Sequence, residues 1–181
     1  MKRCFIATKD SEYTKDYQKY RELEMVQNNF IKGFFNEKGI ESTSYILSGD
    51  GFCNVPFKEN SKSNISLSIQ PTENDIAKYG KLLSKPNKHH GLCSFKKNSN
   101  IAKEFAQKCI DEKIIINLLK PRVGDYFKNL NYRGYSISQF YHNDNFYIKL
   151  ESDFLEENDT PEGFTEFKLS EYYKMKEELG I

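Results

Sequence analysis

Residues 12–36 read EYTKDYQKYRELEMVQNNFIKGFFN, and within them Tyr13, Tyr17, Tyr20, Leu23, Val26, Phe30 and Phe34 recur at steps of three and four. That spacing returns side chains to one side of an α-helix, so the stretch predicts a long amphipathic helix over Glu12–Asn36 whose aromatic stripe faces a core. Thr8, Asp10 and Ser11 ahead of it offer oxygen atoms to the first helical amides. Gly39 behind it supplies the left-handed residue on which helices commonly end.

Working outward, Cys4–Ala7 is a short apolar strand ahead of the helix. After it, Glu41–Leu47 and Phe52–Phe57 flank Ser48-Gly49-Asp50-Gly51, a composition that predicts a hairpin turn. Ile65–Ile69 alternates apolar residues with serine and reads as a third strand, and Thr72 with Asp75 three residues on opens a short helix through Leu83. Lys85–Gly91 is a loop, and His90–Phe95 is expected as a brief strand. Asn98 or Ser99 caps a helix over Asn100–Glu112, and the apolar run Ile114–Leu119 is expected as a buried strand stopped by Pro121. Arg133–His142 and Phe146–Leu150, joined by Asn143-Asp144-Asn145, form a second hairpin. Phe164–Leu169 is extended, and Ser170 caps a last helix through Leu179. Helices and hairpins in this mixed order predict an α+β class: a single domain over residues 1–181, with a mainly antiparallel sheet and further helices packed on one face.

Composition bounds what such a chain does. Its 181 residues suit one core, and the net charge of +1 removes any global electrostatic argument for nucleic-acid binding. No run is long and apolar enough for a membrane span, and no secretory signal opens the chain, so a cytoplasmic location is expected. Cys4, Cys53, Cys93 and Cys109 are widely spaced with no CxxC pair, which reads as reduced thiols and neither disulfides nor zinc ligands. No metal or cofactor is expected. Lysine outnumbers arginine by 23 to 4, so Arg3, Arg21, Arg122 and Arg133 mark positions where a planar, two-pronged donor is specifically needed.

The charge is unevenly placed. Ile76–Lys103 holds seven lysines, His89 and His90 and no Asp or Glu, and it runs into the start of the Asn100–Glu112 helix. Cations beside the unpaired amides of a helix N-terminus suit a phosphate, so Lys96, Lys97, Asn98, Ser99, Asn100 and Lys103 form the leading candidate site. Arg122 and Arg133, with Tyr126, Tyr132 and Tyr135 between or beside them, could add a phosphate clamp and a stacking surface. His89 and His90 are candidates for acid–base chemistry, yet no carboxylate stands near them in sequence. No phosphate loop, nucleophile elbow or activated cysteine is present, so no catalytic constellation is recognised. Glu151–Glu171 carries eight acidic residues against Lys168 alone.

Phe5-Ile6-Ala7, Asn54-Val55-Pro56-Phe57, the Lys96-Lys97-Asn98-Ser99 step into a helix and Phe167-Lys168-Leu169-Ser170 before a Lys-Glu helix resemble a family of small phage and prophage proteins of no assigned function. The resemblance implies a phage accessory protein at work in the host cytoplasm and transfers no catalytic residue. Joined to the basic helix start, it gives the leading expectation: an anti-defence protein that sequesters an anionic, nucleotide-like ligand. Two others stand beside it, an inhibitor that binds a host protein through the acidic C-terminal surface and a small nucleotide phosphodiesterase using His89 and His90. Association of the chain with itself is left open.

Overall fold

In a computed structural model, which describes residues 2–51, 53–127, 135–152 and 160–181, the long helix is α1 (Glu12–Lys38). The class is α+β, and the antiparallel pairing falls into two sheets. The chain divides into two compact units, the first built from residues 1–20 with 120–181 and the second from residues 21–119.

The second unit holds a three-stranded sheet of β2 (Tyr45–Ser48), β3 (Ser66–Ile69) and β4 (Cys93–Ser94), in that spatial order. The expected hairpin around Ser48–Gly51 does not form, because β2 pairs with β3, Tyr45 opposite Ile69 and Ser48 opposite Ser66. The Phe57 ring takes the space beside Gly49 and Gly51, where an added Cβ would stand 2.8 and 2.7 Å from it. Asn54 meanwhile bonds residues 117 and 119 instead of a sheet neighbour. Ile114–Leu119 is likewise not a strand. Its Ile114 and Ile116 are buried, but the Gln27 amide donates to the carbonyls of Ile115 and Ile116 at 2.8 and 3.0 Å, so a side chain supplies what a ladder would. The Thr72–Asp75 capping box is present and opens α2 (Glu73–Tyr79), which tightens to a 3₁₀ turn over Gly80–Leu82. α3 (Asn100–Asp111) begins at the Ser99 cap and buries Ile101, Phe105, Ala106 and Cys109 against Ile31, Phe34, Leu67 and Ile69.

In the first unit, β5 (Tyr135–His142), β6 (Asn145–Ser152), β1 (Lys2–Ala7) and β7 (Phe164–Phe167) lie in that order, all antiparallel. The β5–β6 turn is Asn143-Asp144, with φ of 47° and 60°, the conformation a two-residue type I′ turn requires. One face of this sheet packs Phe5, Phe146 and Ile148 against Tyr13 at the start of α1 and against Val123 and Phe127, which lie ahead of β5 in the chain. The other face is covered by α4 (Leu169–Leu179), whose buried Tyr172 meets Phe140 and Phe167. Helical residues therefore lie on both faces, not one, because Tyr13 gives α1 a buried aromatic anchor of its own. Lys168, not Ser170, is the α4 cap residue, and no side chain caps it; Ser170 is already inside the helix.

Cys4, Cys93 and Cys109 are buried free thiols, and Cys53 is exposed. Burial pushes Cys4 up to about 11 and Cys109 up to about 12 from the ordinary 9.0. Two results are expected. A thiol reagent modifies the folded protein at Cys53 alone, and the three others react only with unfolding, as counted by mass spectrometry. A thiol whose folded pKa is raised contributes stability that is full below pH 9.0 and is lost as pH climbs through 11 and 12, so denaturation midpoints measured across that window should fall.

Candidate functional site

The expected helix start exists. The Ser99 hydroxyl donates to the Lys96 carbonyl at 2.6 Å and accepts from the Ala102 amide at 3.3 Å, which fixes the first turn of α3. Beside that turn lies a groove of about 650 Å³ between α3 and the 3₁₀ segment Glu59–Asn64. Lys62, Lys97 and Lys103 stand on it, Asn98 joins them, and Ile65, Ala102 and Ala106 give it an apolar lining. Glu104 also lines it, but its carboxylate is paired with Lys38 at 2.5 Å. Among the described residues Lys97 and Lys103 have no acidic partner, and Lys62 has only the exposed Glu59 at 3.5 Å. The groove is therefore positive in balance and partly apolar in its lining.

The sequence candidates do not all meet there. Lys96 turns away, its ammonium donating to the Lys81 carbonyl at 2.7 Å. Asn100 is exposed at the first helical position, and Ser99 is occupied as the cap. His89 and His90 are exposed on the turn before β4, where the His90 Nδ1 accepts from the Leu92 amide at 3.2 Å. Neither histidine lines the groove. Arg122 is exposed in the first unit at the head of a 3₁₀ turn (Val123–Tyr126), and Arg133, with Tyr132, lies outside the described residues. Lys62 and Ile65 were not visible as site residues, since the 3₁₀ segment ENSKSN holds no apolar residue to reveal which helix it adjoins, and Ile65 after it reads as the start of a strand.

A second groove of about 620 Å³ runs between the C-terminal turns of α1 and α3, lined by Phe30, Gly33, Phe34, Glu37 and Lys108. Its lysine is used: Lys108 and Lys38 both bond Glu37, and those contacts hold the Glu37 carboxyl below the usual range, Lys108 contributing most. The two grooves thus differ in the availability of positive charge.

No group of three metal-binding side chains occurs among the described residues, and none of their helices is long and apolar enough to cross a membrane. Comparison with family models, with curated proteins and with solved structures finds no match.

Proposed function

We propose that the protein binds a phosphate-bearing, nucleotide-like ligand in the Lys62–Lys97–Lys103 groove and acts by holding it, as a phage accessory protein that withdraws an anionic signal would. The observation that supports the reading is that one cavity joins Lys97 and Lys103, which have no acidic partner among the described residues, and Lys62, paired only with the exposed Glu59, to an apolar lining. Lysine ammonium groups would meet the phosphate, and the Ile65, Ala102 and Ala106 surface would take the less polar part of the ligand. The first turn of α3 adds its dipole to the same end. Retention in place of turnover fits the position of His89 and His90 on a separate turn, one of them committed to a backbone amide.

A thermal-shift screen of mono-, di- and cyclic nucleotides tests this, since a ligand of the folded state raises the melting temperature with its concentration. Lys97→Gln and Lys103→Gln are each expected to weaken binding about tenfold, the loss of one charge-assisted hydrogen bond, while leaving the melting temperature of the free protein unchanged. Lys96→Gln, whose ammonium serves a carbonyl outside the groove, should bind as the parent does. Equal effects at all three lysines would point to general attraction and not to the groove. A nucleotide recovered as product would replace the holding role with the phosphodiesterase reading.

A further inference from the structure

Among the described residues β5 is an edge strand of the first unit's sheet and the longer of its two edges, eight residues against four in β7. Exposed edges are normally blunted by charge, proline, a bulge or shortness. β7 is short and carries Glu166. β5 reads YSISQFYH, with no Asp, Glu, Lys, Arg, Pro or Gly, and its register against β6 runs without a bulge from Tyr135–Ser152 to His142–Asn145. The two-residue turn makes His142 and Asn145 a hydrogen-bonded pair, so the even-numbered residues of β5 give their N–H and C=O groups to β6. The odd-numbered ones point theirs outward. At Ile137, Gln139 and Tyr141 no backbone partner on that outer side occurs among the described residues.

We propose that this edge pairs with β5 of a second copy of the chain, antiparallel about a two-fold axis at Gln139, joining two four-stranded sheets into one. The phase of the strand argues for that occupant. Centred on Gln139, every outward group meets an outward group: Gln139 exchanges both bonds with Gln139 of the second copy, and Ile137 does so with its Tyr141. Side chains match as well. Tyr141 is 52% exposed and would lie beside Ile137 across the junction, an aromatic and β-branched pair of the kind that stabilises antiparallel strands. On the other face Ser138 would adjoin Phe140, and no two like charges are brought together. The two-fold closes, so association stops at a dimer.

Edge pairing of this size belongs to small interfaces, below about 1,200 Å², so the dimer is expected to dissociate on dilution. Sedimentation velocity across a concentration series should show the parent passing from monomer to dimer. Gln139→Glu and Gln139→Lys each place two like charges directly opposite one another and should weaken dimerisation by about tenfold or more, while an equimolar mixture of the two should restore it. Gln139→Glu keeps an acceptor for the Tyr13 hydroxyl, now 2.9 Å from Gln139 Oε1, so its fold should be undisturbed. Independently of any variant, amide exchange at Ile137, Gln139 and Tyr141 in the parent should slow as concentration rises. A parent that stays monomeric, whether the edge then takes a foreign strand or none, overturns the proposal. So does a dimer that either single variant leaves intact, a mixture that fails to associate, or exchange at those three amides that ignores concentration.

Discussion

Phe105→Ala should lower the unfolding free energy by about 3 to 5 kcal/mol, the range for emptying a buried aromatic site. Phe105 is 1% exposed, its ring 5.0 Å from that of Phe34 and 5.8 Å from that of Phe30, and it seats α3 on α1 within the second unit. Truncation removes those ring contacts together with the buried apolar area, and the neighbouring Ile31, Leu67 and Ile69 belong to close-packed elements that collapse only in part. Against a usual domain stability of about 5 to 15 kcal/mol, such a loss takes a large share of the folded state. Phe105→Leu keeps most of the volume and should lose less than half as much. Urea titrations of the three proteins check this; a Phe105→Ala loss near 1 kcal/mol would mean that the site closes freely and that α3 is not held by this ring.

The same helix shows what sequence can and cannot reveal. α1 was legible from its three-and-four spacing, but the stripe serves two cores: Tyr13 is buried in the first unit and Phe34 in the second, while Val26 between them is 54% exposed. Periodicity identifies a face without saying what covers it. The β5–β6 hairpin was legible because Asn143-Asp144 announces its turn locally. The supposed β2 hairpin had equally good turn residues and failed, since the position of the Phe57 ring beside Gly49 and Gly51 is a tertiary fact. At the candidate site, the Ser99 cap and the placement of Lys97 and Lys103 follow from where a helix starts. The divergence of Lys96 from Lys97 does not, because it depends on a carbonyl of Lys81 brought near by the 3₁₀ turn. Lys62 and Ile65 enter the groove through packing between segments more than thirty residues apart, which leaves no local mark.

Scarcity of arginine was the sole sign of Arg3, which is 5% exposed and grips Glu166 with both prongs, Nε to Oε1 at 2.9 Å and a terminal nitrogen to Oε2 at 2.8 Å. Thr160 accepts a further bond at 3.2 Å, and the guanidinium lies 4.8 Å from the Phe5 ring centroid. Lysine could not make that planar double contact from so enclosed a position. Glu166→Ala should therefore cost about 2 to 3 kcal/mol, below the full penalty for breaking an enclosed ion pair because the Glu166 side chain is 45% exposed and screened by water. Removing both members as Arg3→Met/Glu166→Leu should cost less than Glu166→Ala alone, since no enclosed guanidinium then loses its carboxylate. Acid gives an independent reading. The bonds from Arg3 hold the Glu166 carboxyl below its ordinary 4.5, so the pair's contribution is complete above that pH and is lost as pH falls through the lowered value. Denaturation midpoints of parent and Glu166→Ala protein should accordingly converge on acidification. A constant gap between them down to pH 2, or a double variant less stable than Glu166→Ala, would show that Arg3 is held by its packing over Phe5 and not by the carboxylate.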